Sequence, residues 1–158
     1  MVNRLIPDQV TLVPYEENAL TSNTGWDTIK HRDFLKEVIN EFKGNGIRTS
    51  IFIDPNEKMI EGAKVTGTDR IELYTEAYAI NYLANKEKAI ESYLLAAQNA
   101  TKLGLEINAG HDLNLKNLHY LVEMGNINEV SIGHAIVIDA LHYGFEETIL
   151  KYLNIIRN

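Results

Sequence analysis

The feature of this sequence that most constrains its fold is a regular alternation between short apolar runs and longer segments with helical periodicity. The five runs with strand character are Val10–Val13, Thr49–Ile53, Arg70–Leu73, Leu105–Asn108 and Val130–Ile132. Between the first two, apolar residues from Leu35 to Phe42 recur at the spacing of one helix face. Strands that alternate with helices pair in parallel, because each helix carries the chain back along the sheet. The sequence therefore predicts five βα units and one parallel sheet.

Several residues mark where the helices begin and end. Gly44-Asn45-Gly46 is a C-terminal stop for the first long helix. Asp54 and Pro55 predict the N-cap and the first turn of a helix that continues to about Val65. The last helix has an apolar side made of Phe145, Ile149, Leu153 and Ile156.

Composition narrows the class of protein. The chain has 158 residues, of which 45% are hydrophobic, so it can build one sizeable core, and no linker divides it. We expect one domain over residues 1–158. The net charge of −7 and the lack of a basic stripe argue against a nucleic-acid partner, and no cysteine is present for thiolate or disulfide chemistry. Neither a signal peptide nor a long apolar run is found, so we expect a soluble cytoplasmic protein without a membrane partner.

Two Gly-His turns are the strongest functional signal. They are Asn108-Ala109-Gly110-His111-Asp112 and Ser131-Ile132-Gly133-His134-Ala135, and each joins a predicted strand to a helical segment. A strand that ends in glycine and opens onto a helix presents backbone N–H groups and a positive helix end, which suit phosphate. Each histidine adds a group that titrates near neutrality. Because turns of successive βα units open on the same face, we expect one anion site that contains both.

The length leaves the architecture open at this point. Five βα units are too few to close an eight-stranded barrel, which usually needs about 250 residues. A separate doubly wound sheet is an alternative, but the glycine-rich first turn of a dinucleotide-binding protein is missing.

Five ordered blocks of sequence resemble the pyridoxine 5′-phosphate synthase family. They are Asp8–Pro14, Ser50–Asp54, Ile71–Thr75, Asn108–His111 and Ile132–Ile136. The resemblance implies an α/β fold of the parallel (β/α)8 TIM-barrel type, of which this chain supplies strands four to eight, adjacent to one another in chain order. Residues 1–9 contain none of the motifs of the family's first three βα units. We therefore expect a partial barrel, either a fragment of a longer enzyme or the product of a truncated reading frame.

The resemblance also implies a reaction. Members of the family condense 1-deoxy-D-xylulose 5-phosphate with 3-amino-2-oxopropyl phosphate in vitamin B6 biosynthesis, use no metal or organic cofactor, and form large homo-oligomers. By this resemblance His111 is the proton donor. The backbone at Asp112, Gly133 and His134 holds the phosphate of the amino-ketone, and Thr21 contacts the deoxyxylulose phosphate. The implied partners are two phosphorylated small-molecule substrates and inorganic phosphate.

Some positions depart from the family pattern, and some roles stay open. Asp112 stands where glycine is frequent, so its carboxylate would repel a phosphate unless it is turned away. Glu72 can point into the mouth of the barrel as an acid or base, or it can pair with Arg48 or Arg70. Two other functions are compatible with the sequence: a phosphate-binding half-barrel without catalysis, and an unrelated phosphosugar-binding barrel enzyme. Because the family's bases lie on strands that this chain lacks, we expect the chain alone to be inactive.

Overall fold

The computed structural model describes residues 2–15 and 22–157, in which strands and helices alternate. The strands are β1 (Gln9–Leu12), β2 (Arg48–Ile53), β3 (Arg70–Tyr74), β4 (Glu106–Gly110) and β5 (Glu129–Ser131). The helices are α1 (Val2–Leu5), α2 (Arg32–Gly44), α3 (Glu57–Thr66), α4 (Glu76–Asn81), α5 (Lys86–Lys102), α6 (Leu118–Gly125), α7 (His134–Tyr143) and α8 (Phe145–Arg157). Among these residues, no helix is long and apolar enough to span a membrane.

The five strands form one parallel sheet in the order β1-β2-β3-β4-β5, which confirms the predicted topology. Alternate residues of each strand point to opposite faces. One set packs under the helices and is almost completely buried, as with Ile51, Ile71 and Ile107. The other set is largely polar and includes Thr11 and Glu72, whose side chains contact each other. The sheet thus has an apolar outer face and a polar inner face.

Contacts across the inner face show that the sheet is strongly curved. Gln9 Nε2 on β1 donates to Glu129 Oε1 on β5 at 3.1 Å, although three strands lie between them. In a flat sheet four strand spacings would separate β1 and β5 by about 19 Å. Arg70 on β3 also reaches Glu129, with Nη1 2.7 Å from Oε2. The sheet is therefore a half-barrel, and β1 and β5 are its two edges.

The helix boundaries differ from the prediction at one end of α3. The N-cap is Asn56, whose side chain accepts from the amides of Lys58 and Met59, so the prediction of Asp54 and Pro55 as cap and first turn was wrong by two residues. The physical reason is that the Asp54 carboxylate has another partner. It accepts a hydrogen bond from the Gly25 amide at 3.2 Å.

The last two helices leave apolar side chains exposed. Helix α8 is confirmed, but its buried residues are Thr148 and Tyr152, while Phe145 is 66% exposed and Ile156 is 42% exposed. The Tyr152 hydroxyl donates to Asp139 of α7, and of the predicted apolar side of α8 only Ile149 and Leu153 are half-buried. On α7, Val137, Ile138 and Leu141 are exposed as well.

The segment that begins at residue 22 is fixed against the end of β2 at Gly25 and Trp26. The Trp26 amide donates to Phe52 O at 2.9 Å, and the Trp26 indole donates to Leu12 O at 3.2 Å. At Gly25 a Cβ would lie only 2.4 Å from the Asp54 nitrogen, so no larger residue fits without moving the loop. Trp26 therefore anchors the loop, and its ring meets His31 edge to face.

Candidate active site

The two Gly-His turns lie together at the carboxyl ends of adjacent strands. His111 follows β4 and Gly133 follows β5, and both line one cavity of about 690 Å³ with Asp112, Ser131, Ile132 and His134. The geometric prediction that His111 and Gly133 open on the same face is thus confirmed. Thr21, the third residue of that prediction, lies outside the described residues.

The turn after β4 has an unusual backbone. His111 has φ of +94° and Asp112 has φ of +57°, which are backbone angles that residues other than glycine seldom adopt. The Thr75 hydroxyl holds this turn, since it lies 2.8 Å from Gly110 O and 2.5 Å from His111 O. Backbone strain of this kind persists only where the surroundings fix it, and it is concentrated at functional sites.

The Asp112 side chain points to both histidines of the cavity. Its Oδ2 lies 3.2 Å from His111 Nδ1, and its Oδ1 lies 3.6 Å from His134 Nε2. The imidazole of His111 is mostly buried, whereas that of His134 is 66% exposed. The carboxylate thus links the turn after β4 to the turn after β5.

Glu76 is a second acidic residue near His111, and Tyr74 lies between the two. The Tyr74 ring stands perpendicular to the imidazole, with the ring centroids 4.8 Å apart, and its hydroxyl donates to Glu76 Oε2 at 2.7 Å. Burial raises the pKa of Tyr74, and the Glu76 carboxylate raises it further, so the phenol stays protonated. One ligand atom each from Glu76, His111 and Asp112 falls within 4.8 Å of the others. The Glu76 carboxylate accepts a hydrogen bond from the Tyr74 phenol, and the Asp112 carboxylate lies at ion-pair distance from the two imidazoles.

Glu72 lies on the inner face just below these residues. Thr11 Oγ1 donates to Glu72 Oε2 at 3.1 Å, and a Cβ on Gly110 would come within 2.5 Å of Oε1, so the carboxylate fills the space that this glycine leaves. Burial raises the pKa of Glu72; Thr11 and Ser131 oppose the shift by hydrogen bonding, while the charge of Glu129 adds to it. A carboxyl group in this state exchanges a proton at less acidic pH than an exposed one.

Glu72 does not pair with Arg48 or Arg70, which was the alternative that the sequence left open. Arg70 pairs with Glu106 and Glu129, and Arg48 contacts Gln9 and Glu129. Both arginines thus engage carboxylates at the amino ends of the strands. Glu72 is left in a polar but less charged layer between them and the cavity.

Gly133 is the N-cap of α7, a helix of ten residues. A Cβ at Gly133 would meet no heavy atom within 4 Å, so this position opens directly into the cavity. The first amides of an α-helix have no partner within the helix and carry its positive dipole end. The arrangement can therefore receive an anion, with the His134 side chain at its rim.

Three residues of this site were given no role from the sequence, although two of them belong to the block Ile71–Thr75: Tyr74, Thr75 and Glu76. Their position directly at the carboxyl end of β3 is the signal that could have identified them, because the active sites of such barrels lie at that end of the strands. Their contacts with the His111 turn depend on the strand order.

A comparison with solved structures supports the fold. The tryptophan synthase A-subunit of the hyperthermophile Pyrococcus furiosus matches 98% of this chain and 59% of its own, with a TM-score of 0.60 and 17% sequence identity. At this identity the likeness concerns the architecture alone. The chain is thus a half-barrel of the TIM-barrel type.

Comparisons of sequence identify the family. The family model described as pyridoxal phosphate biosynthesis protein PdxJ matches residues 1–158. The pyridoxine 5′-phosphate synthase of Christiangramia forsetii is 57% identical over 99% of this chain and 67% of its own length. That of Cytophaga hutchinsonii is 57% identical over 97% and 65%, and that of Flavobacterium johnsoniae is 56% identical over 93% and 62%. The chain therefore spans about two thirds of the length of these curated relatives, and it belongs to the PdxJ family.

Proposed function

We propose that this chain forms the phosphate-binding and proton-donating part of a pyridoxine 5′-phosphate synthase. The observation that carries the proposal is the joint position of His111 and Gly133 on one cavity at the carboxyl ends of β4 and β5. The substrates, by the family resemblance, are 1-deoxy-D-xylulose 5-phosphate and 3-amino-2-oxopropyl phosphate. The barrel would be completed by further strands, since closure of this fold takes eight.

The phosphate of the amino-ketone binds at the start of α7. Amides of Gly133 and His134 and the amide of Asp112 donate to it, and the helix dipole favours its charge. Two features support this role: the open space above Gly133, and the direction of the Asp112 carboxylate towards the imidazoles. That direction leaves the Asp112 backbone as the group that faces the anion.

His111 donates a proton during the condensation. When the amine adds to the ketone, the resulting carbinolamine loses its hydroxyl as water, and a nearby acid must supply the proton for this departure. Glu72 is the neighbouring group that can take up or return a proton, because burial raises its pKa. Thr21 contacts the deoxyxylulose phosphate in this proposal. Further along the chain, the amides of Gly25 and Trp26 are hydrogen-bonded to Asp54 and Phe52 at the end of β2.

The assay that tests the function supplies both phosphorylated substrates to the 158-residue chain, alone and with the remaining part of a relative's barrel added in trans. We expect no product from the chain alone and product after complementation. His111→Gln should then reduce the rate by about a hundredfold or more, as expected for loss of an acid catalyst. The control is His119→Gln, since His119 is an exposed residue paired with Glu123 on α6. A normal rate from the chain alone, or full activity of the His111 variant, contradicts the proposal.

A phosphate-binding half-barrel without catalysis is the second candidate. It is favoured by the two strand edges, β1 and β5, which stay unpaired with each other in the described part of the chain. Phosphate binding that persists while every complemented mixture stays inactive would select this candidate.

We further propose that the protein acts in the cytoplasm as a homo-oligomer. The support for the first is the family's role in pyridoxal phosphate biosynthesis. The homo-oligomer is supported by the exposed apolar side chains on α7 and α8, because a second copy of the chain would cover them. Light scattering at several concentrations tests the oligomer, and a monomer throughout contradicts it.

A further inference from the structure

We infer that Asn117 is a positioning residue: its side chain fixes the backbone of the turn after β4, which presents His111 and the Asp112 amide to the cavity. The inference rests on the proposed roles of these two groups, but its main test needs neither substrate nor phosphate. Asn117 lies five residues beyond Asp112 and outside both Gly-His motifs.

The first step is that Asn117 occupies the N-cap position of α6 without capping this helix. Asparagine at an N-cap usually accepts a hydrogen bond from an amide in the first turn of the helix. The Asn117 side chain makes no such bond. The residue is 2% exposed and its side chain faces the preceding loop, where Oδ1 accepts from the Asn114 amide at 2.9 Å and Nδ2 donates to Asp112 O at 3.2 Å. Both ends of the carboxamide therefore hold the turn and not the helix.

The second step concerns the two peptide planes on either side of the Asp112 Cα. The plane before it contains His111 O, which lies 2.5 Å from the Thr75 hydroxyl. The plane after it contains Asp112 O, which accepts from the side-chain amides of Asn117 and Asn114. Because each peptide unit is planar, fixing both planes fixes φ and ψ of Asp112, and the first plane also carries its N–H. These contacts therefore maintain the φ of +57°, which an aspartate adopts only at a steric cost.

The third step is that Asn117 is itself held in place. The Tyr78 hydroxyl donates to Asn117 O at 2.6 Å, and both residues are almost completely buried. Burial raises the pKa of Tyr78, so its hydroxyl remains a donor at neutral pH. Tyr78 lies on α4, and its amide donates to the hydroxyl of Tyr93, which donates to Tyr74 O at the end of β3. The support of the turn after β4 thus extends through buried tyrosines to the end of β3.

The test is ¹⁵N relaxation of the backbone amides in the ligand-free 158-residue chain. In the parent we expect order parameters of about 0.85 at His111 and Asp112, which is the value of rigid backbone. Asn117→Ala removes both contacts of the carboxamide, so the order parameters of these two amides should fall below about 0.6, as in a flexible segment. The matched control is Asn85→Ala, because Asn85 is exposed and caps α5 through its side chain. This change also lowers stability, but it should leave both amides unchanged.

A second measurement separates positioning from a purely structural role. In the enzyme completed in trans, Asn117→Ala should lower kcat about tenfold or more and raise KM less, because a displaced acid affects the chemical step. Asn85→Ala should leave both constants unchanged.

Two results overturn the inference directly: flexible amides at His111 and Asp112 in the parent, and unchanged order parameters in a folded Asn117→Ala. An active completed enzyme whose kcat does not change in Asn117→Ala overturns it as well. If Asn117→Ala does not fold, Tyr78→Phe replaces it, because this change removes only the hydroxyl that holds Asn117 O. The same two amides should then gain motion, and order parameters equal to those of the parent overturn the inference. A completed enzyme that is inactive with the parent chain contradicts the proposed function, while the relaxation result still decides the inference.

Discussion

Replacement of Gly133 is the sharpest test of the proposed phosphate site. Because a Cβ at this position meets no heavy atom within 4 Å, Gly133→Ala and Gly133→Val leave the packing of the fold in place. The added atoms instead enter the cavity that His111 and His134 line. The structure therefore predicts a loss of binding without loss of packing.

The size of the effect follows from the hydrogen bonds that the ligand would lose. A hydrogen bond to a charged group contributes about 1.5–3 kcal/mol. Valine displaces phosphate from at least one amide at the start of the helix. The affinity of Gly133→Val for phosphate should therefore fall about tenfold to a hundredfold. Alanine adds a single carbon and should cost less than valine.

Calorimetry with inorganic phosphate measures this loss. The matched control is Gly44→Val, because Gly44 ends α2 on the far side of the sheet and a Cβ there also meets nothing within 4 Å. Thermal unfolding of all variants confirms that they are folded. If Gly133→Val binds phosphate as tightly as the parent chain, the cradle at the start of α7 is wrong.

Two further predictions concern the polar inner face. Burial raises the pKa of Glu72 in the folded state, so the ionised form destabilises the fold as pH rises above the ordinary value of 4.5. Glu72→Gln should therefore be more stable than the parent at pH 7, and the gain should vanish below pH 4.5; urea unfolding with the same difference at every pH would argue against this. Arg70, whose side chain is 11% exposed, neutralises Glu129 and Glu106 across the half-barrel. Arg70→Met should cost about 2 kcal/mol of unfolding free energy, less than a fully buried pair because both glutamates are partly exposed. A second change, Glu129→Gln, should recover part of this loss, and strictly additive effects in urea would show that the two side chains are not coupled.

The topology could be predicted because it depends on local patterns. Apolar runs separated by helical segments predict a parallel sheet, and the barrel that the resemblance implies places the strands in chain order with both Gly-His turns on one face. The cap of α3 could not be predicted in the same way. Asp54, Pro55 and Asn56 are adjacent, and Asp54 is removed from the choice by the distant Gly25 amide.

The chemistry of the site could be predicted only in part, because it depends on contacts between residues of different strands and turns. That Glu72 points inwards follows from strand alternation, but its partners do not, since Arg70 reaches past it to Glu129 across the curved sheet. The Asp112 side chain lies near His134 because the pairing of β4 with β5 brings the two turns together. For α8, periodicity gives an apolar side, but only the contact of Tyr152 with Asp139 shows which side faces the neighbouring helix.

The anchored loop after β1 also provides an optical probe of the molecule. Trp26 is the only tryptophan in the chain, so intrinsic fluorescence excited at the red edge of the aromatic band arises from this one indole. Its ring nitrogen is bonded to Leu12 O, and its ring meets His31 at a centroid distance of 5.3 Å. Because the indole is bonded to the end of β1 and the Trp26 amide to the end of β2, its emission reports whether this segment stays docked on the sheet. The indole lies outside the cavity lined by His111 and Gly133, so it reports the folding of variants at that cavity without being part of the site.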